Sequence, residues 1–292
     1  LTLDGGKGLG DADAFLGESV ATTVYPVGVT SITPIARQDI EQIEFVSDVS
    51  RAIVSGDVAK GSFKVAEGIT RIWDVSAMGD KSILAWTSNT AAPYTVYVGS
   101  EHEIFANPDS SFLFSYIGYG ESSVKTTPVV GLNLLREDSA VNMTGMFNYF
   151  GYRAMTEIDL DDFDTRFVAD MENMFNQCGF TAMTSLDLGE NFDTSSVTDM
   201  KGMFSYAGAT VMTSLDLGEK FDTSSVQYMN WMFDGCGFDS MEKLDLRDKF
   251  DTTNVTNMYN MFYQCGYKSM SSLDLGDKFN TSSVTDMHAM FY

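Results

Sequence analysis

A five-residue pattern, M-x-x-M-F, begins at Met143, Met171, Met200, Met229, Met258 and Met287, at spacings of 28, 29, 29, 29 and 29 residues. A period of this length marks a stack of like units, each too small to bury its own apolar side chains. Within one copy, Met200, Met203, Phe204 and Ala207 fall at i, i+3, i+4 and i+7. That spacing predicts one face of a short α-helix. Gly151, Gly179, Gly208, Gly237 and Gly266 follow in the first five copies, where a left-handed helix stop belongs.

The rest of the copy reads as strand and turn. Met183, Leu186 and Leu188 occupy L-x-x-L-x-L positions, which predicts a strand with the leucines inward and Ser185 and Asp187 outward. Phe192 and Val197 add core on the far side. Thr198 is placed to cap the following helix, as are Thr256 and Thr285, while Ala169 and Gln227 replace that cap in two copies. The expected fold is an α/β leucine-rich-repeat solenoid with turns of about 29 residues, built from short parallel strands and short helices.

The repeats begin before the first methionine signature. Leu113, Phe114, Tyr116, Ile117, Gly118 and Tyr119 align with the later copies, Leu132-Asn133-Leu134 matches the Leu-Asp-Leu triplets, and Val141 matches Val197. This puts a boundary near residue 108, with the solenoid over 109–292 and a small mostly-β unit over 1–108. Within that unit, residues 1–20 read as loop and 21–35 as strand and turn. Residues 39–54 fit a helical face, although Ile43-Glu44-Phe45 fits a strand equally well. Short strands are expected at 69–75, 82–86, 94–99 and 103–105. Leu1 stands where an initiator methionine would, which reads as a removed leader or a fragment.

Charge narrows the partners. Against 18 basic residues stand 41 acidic ones, a formal net charge of -23. Such a chain disfavours nucleic acid and anionic membrane surfaces and favours cationic partners. No apolar run reaches the roughly 18 residues a membrane span needs. Cys178, Cys236 and Cys265 share a repeat position that holds Phe150 and Ala207 in other copies, which reads as a packing slot, with a disulfide between Cys236 and Cys265 as the alternative that side-by-side Cβ vectors suit badly. Only His102 and His288 are available for histidine chemistry, and Gly5-Gly6-Lys7-Gly8 lacks a phosphate-loop pattern, so no catalytic residue is assigned.

The strings FDTSSVTDMKGMF, MTSLDLG and FDTTNVTNMYNMF resemble the BspA-like leucine-rich-repeat family of bacterial surface proteins. The segments around Trp73 to Trp86 and Ile104 to Phe112 resemble the region preceding those repeats. The resemblance spans roughly residues 69–292 and implies an exported, surface-attached or secreted protein that binds other proteins or host matrix, without a catalytic residue. An extra segment after the helix position (Gly179 to Met183) departs from the shorter common repeat.

The first candidate site is the outward side of the strand ladder: Asp159, Ser185, Asp187, Ser214, Asp216, Asp245, Ser272 and Asp274. Neighbouring strands lie about 4.8 Å apart, so adjacent carboxylates repel by roughly 0.9 kcal/mol even in water. A cationic partner would relieve that repulsion. Solvation of a polar strand face is the plainer reading. A second row, Asp164, Asp193, Asp222, Asp251 and Asn280, each followed by Thr, reads as turn-forming, with calcium ligation as the sharper alternative. No cofactor is otherwise implied. Tyr152, Phe180, Phe238 and Tyr267 are expected to form an aromatic row.

The last copy breaks off at Met287, Met290 and Phe291 without a closing cap, so either the chain continues or this end docks. The expected function is therefore a non-catalytic adhesin-type protein at the bacterial surface or outside the cell. The alternative is a subunit that assembles head-to-tail into an extracellular fibre through that end.

Overall fold

A computed structural model describes residues 23–24, 35–57, 62–78, 80, 82–137 and 140–292. The loop reading of residues 1–20 and most of the strand-and-turn reading of 21–35 lie outside the described residues. Among those described there is no α-helix. The only helical pieces there are two three-residue 3-10 turns, Arg37–Asp39 and Leu132–Leu134. The described residues are β strands and turns, and the α/β leucine-rich-repeat solenoid with short helices is overturned.

The M-x-x-M-F segment shows why. Its apolar residues are buried as the helical spacing requires: Met200, Met203, Phe204 and Ala207 are all at 0% exposure. The backbone differs. Gly202, Tyr206 and Gly208 have φ of 62°, 54° and 51°, and the equivalent residues of the other complete copies, such as Asn173, Gln177 and Gly179, also have positive φ. A right-handed helix cannot contain such residues.

Alternate amides instead point along the stack. Those of Met200, Gly202, Phe204 and Tyr206 donate to the carbonyls of Tyr228, Asn230, Met232 and Asp234 at 2.7–3.0 Å. The amides between them close tight turns, Met203 to Met200, Ser205 to Gly202 and Ala207 to Phe204. The segment is a chain of overlapping turns with sheet-like bonding to its neighbours. One aromatic ring per copy stacks on the next, through Phe114, Phe147, Phe175, Phe204, Phe233, Phe262 and Phe291, at centroid spacings of 5.4–5.7 Å.

The expected threonine cap is also corrected. Thr198 Oγ1 donates to the Ala169 carbonyl of the preceding copy at 3.2 Å. The turn is capped by the next residue, Asp199, whose Oδ1 accepts the Lys201 N–H at 2.9 Å. Hydroxyls further back build a second inter-copy ladder. Thr165, Thr194, Thr223 and Thr252, all fully buried, donate to the carbonyls of Asp193, Asp222, Asp251 and Asn280 at 2.8–2.9 Å.

Strands complete the copies: β11 (Ser185–Asp187), β12 (Ser214–Asp216), β13 (Lys243–Asp245) and β14 (Ser272–Asp274). They pair parallel in two couples, β11 with β12 and β13 with β14, in the register Leu186↔Leu215 and Leu244↔Leu273. Leu186, Leu215 and Leu244 belong to one hydrophobic cluster that runs from Ile35 to Met290.

The N-terminal part is a six-stranded sheet ordered β1-β5-β6-β7-β2-β9. Its strands are β1 (Thr23–Val24), β2 (Ile40–Val46), β5 (Arg71–Asp74), β6 (Leu84–Thr87), β7 (Tyr94–Gly99) and β9 (Val129–Val130). Pairing is antiparallel from β1 to β7 and parallel on both sides of β2. The helical option for residues 39–54 fails because β2 is interior to this sheet, where buried Ile40, Ile43 and Phe45 suit an extended chain. A hairpin, β3 (Ile53–Asp57) with β4 (Ser62–Val65), was not foreseen. The remaining pair is parallel, β8 (Ile104–Phe105) with β10 (Leu135–Arg136).

The sheet covers the first repeat. Buried Arg37 donates through Nη1 to the carbonyls of Phe112 and Leu113 at 2.8 and 2.9 Å. Gly118 N–H donates to Ile40 O at 2.8 Å, and Phe45 packs edge-on against Phe114. The alignment of the first copy needs one correction. Thr156 N–H donates to Thr126 O, so the strand position falls at residues 126–130 and not at the Leu132–Leu134 turn. Ala140, not Val141, is the counterpart of Val197, because its N–H closes on Glu137 as that of Val197 closes on Thr194.

Candidate functional site

Strand alternation places the predicted acidic face outward. Ser185, Asp187, Ser214, Asp216, Asp245, Ser272, Asp274 and Asp159 are exposed, while Leu186, Leu215 and Leu244 between them are buried. Each aspartate of the row also has a local role. One carboxylate oxygen accepts the N–H two residues on: Asp161 on Asp159 (3.2 Å), Gly189 on Asp187 (2.9 Å), Gly218 on Asp216 (2.9 Å), Arg247 on Asp245 (2.8 Å) and Gly276 on Asp274 (3.0 Å). The row therefore ends each strand in a turn, which is part of why aspartate recurs there. The second carboxylate oxygen remains for other partners.

Two hollows lie along this row. One, of about 500 Å³, is lined among the described residues by six carboxylate residues (Asp161, Asp162, Asp187, Glu190, Asp216, Glu219) and a single basic residue, Arg247. The other, of about 490 Å³, is lined by Asp245, Asp248, Asp274 and Asp277 among its acids, with Arg247 and Lys249. Arg247 stands between the two. Its Nη2 meets Asp216 at 2.7 Å and its Nη1 meets Glu219 at 2.9 Å. The surface is concave and strongly acidic, so it is suited to cationic groups.

The second row forms turns. Asp193, Asp222, Asp251 and Asn280 accept the N–H two residues on at 2.8–2.9 Å, and the Arg166 guanidinium pairs with Asp164. Among the described residues, no group of three or more His, Cys, Asp or Glu is placed to hold a metal ion. The aromatic row is interrupted: Tyr152 stacks on Phe180 at 4.8 Å and Phe238 on Tyr267 at 5.2 Å, with Ala209 in the gap. All three cysteines are free and buried, and burial pushes the Cys265 thiol up to about 12. In the last copy, Met287 and Phe291 are exposed, whereas Met290 is buried. No helix among the described residues is long and apolar enough to cross a membrane.

Sequence reasoning missed Glu137. It takes the place in the first copy that threonine holds in the others, and it is 4% exposed. Burial pushes its carboxyl up to about 8, against the downward pull of the N–H groups of Glu137 and Asp164. The signal was present, because a glutamate three residues before Ala140 matches Thr194 before Val197, but the alignment on Val141 hid it.

No curated protein and no solved structure matches the chain. The family described as Mycoplasma protein of unknown function, DUF285, matches residues 141–265 and 238–292, which together make more than half of the chain. These matched residues are the repeats that carry the acidic strand face, and the chain belongs to that family.

Proposed function

We propose that this chain is a non-catalytic binding protein, displayed on the bacterial surface or released from the cell, that captures basic regions of partner proteins or host matrix. The observation that carries this reading is the pair of hollows along the strand face, the first with six carboxylates set against Arg247 alone among the described residues. The local turns account for one oxygen of each aspartate in the row, and a cationic partner would relieve the repulsion among the charges that remain. The resemblance of the FDTSSVTDM-type strings to BspA-like surface proteins supports the same class of function and the extracellular placement.

The test is capture of the purified chain on immobilised basic and acidic matrix proteins over a range of salt. Basic proteins should retain it, and retention should fall as salt rises. Asp187→Asn combined with Asp216→Asn should weaken retention while leaving the melting temperature equal or higher. Retention indifferent to both salt and the double substitution would refute the proposal.

A further inference from the structure

The strand side of the stack is splayed open where the first copy meets the second. At one end the two copies are tied, with Thr156 N–H donating to Thr126 O at 3.2 Å. Beyond that tie they separate. Among the described residues, β9 is the edge strand of its sheet and pairs only with β2. Opposite it, residues 157–159 form no strand, although the equivalent residues of later copies do. Among the described residues, the N–H groups of Glu157, Ile158, Asp159 and Leu160 have no backbone acceptor. The result is a wedge-shaped cavity of about 460 Å³ whose walls carry backbone that is unpaired among the described residues.

The side chains give the wedge a definite character. Val130, Ile158 and Phe163 supply apolar walls, Glu137 lines it from a buried position, and Asp159 and Asp162 line it from exposed ones. No basic residue lines it among those described. Apolar walls with acidic groups and open backbone edges match an extended chain that alternates apolar and basic side chains.

We infer that this wedge is a strand-addition site for an extended segment of a partner protein, pairing through its backbone with the open edges and placing a lysine or arginine against Asp159 and Asp162. The wedge adjoins the acidic strand face, sharing Asp159 with its row and Asp162 with its first hollow, but its open backbone edges are its own and do not depend on that face binding anything.

The test uses the full chain and a fluorescent short peptide of alternating valine and lysine, read by anisotropy. Two control peptides carry glutamate for lysine or N-methyl groups on alternate amides. The lysine peptide should bind and both controls should fail. Asp159→Asn and Asp162→Asn, both at exposed positions, should each weaken binding by about tenfold. Asp187→Asn with Asp216→Asn should leave it unchanged. The proposal is overturned by no binding of the lysine peptide, by equal binding of the N-methylated peptide, or by indifference to both Asp159→Asn and Asp162→Asn. It is overturned too if binding is lost only in the Asp187, Asp216 double variant, which would assign the peptide to the strand face.

Discussion

The two sides of each repeat are built to different standards. On the Met-Phe side, a parallel bridge links every copy to the next without a break, from Asp109 through Asn142, Asp170, Asp199, Tyr228 and Asn257 to Asp286. A continuous column of phenylalanine rings lies behind it. On the strand side, pairing runs only in couples, β11 with β12 and β13 with β14, and it is open at residues 157–159. The physical difference is charge and length. The turn side offers four inter-copy amide bonds per copy over an apolar interior, whereas each strand offers three residues with an aspartate facing outward. Like charges in register oppose close pairing. One side holds the stack together and the other is left accessible.

The largest test of this division is Phe204→Ala, in the middle of the ring column and fully buried between Phe175 and Phe233. A cavity there should cost about 3–5 kcal/mol in urea unfolding. A loss under 1 kcal/mol would show that the column does not carry the stack.

The junction beneath the strand side should respond to pH. The Glu137 carboxyl is raised from 4.5 to about 8 in the fold, so the folded chain keeps a proton that the unfolded chain releases. Its stabilising contribution is complete below about pH 4.5 and is lost as pH rises towards 8, at about 1.4 kcal/mol per pH unit. Glu137→Gln should therefore gain on the natural chain between pH 5 and pH 8 when their unfolding midpoints are compared. Parallel pH profiles would contradict the burial argument.

A smaller effect is expected at Thr194→Val, within the buried threonine ladder. Its hydroxyl donates to Asp222 O at 2.8 Å and accepts Asp222 N–H at 2.8 Å. Loss of both bonds in a buried site should cost about 1–3 kcal/mol. The smallest effect belongs to Asp187→Asn on the strand side. Asparagine can still accept the Gly189 N–H and removes one charge from the row, so the change should stay within about 0.5 kcal/mol. Destabilisation above 2 kcal/mol would mean that the acidic face is structural after all.

Much of this was legible from residue spacing. Alternation within Ser185–Asp187 separated exposed Ser185 and Asp187 from buried Leu186, and the methionine signature named the buried set of the opposite side. The helix did not follow, although one clue was present. Gly145, Asn173, Gly202 and Asn260 occupy a position with positive φ, and glycine and asparagine are the residues that tolerate it best. Trp231 holds the same position at φ 60°, which no local preference would suggest. Glu137 and its wedge were hidden because they depend on how an irregular first copy is aligned, and only hydrogen bonds between copies settle that alignment.

By itself the sequence determined the period, the copies, and which side chains turn inward, because burial depends on spacing along the chain. Helices and chains of tight turns share the i, i+3, i+4 spacing, so the choice between them lay elsewhere. The tertiary structure decided it, because the amide of Phe204 finds its acceptor at Met232 in the next copy and not four residues back. A partner that far along the chain exists only once the copies are stacked.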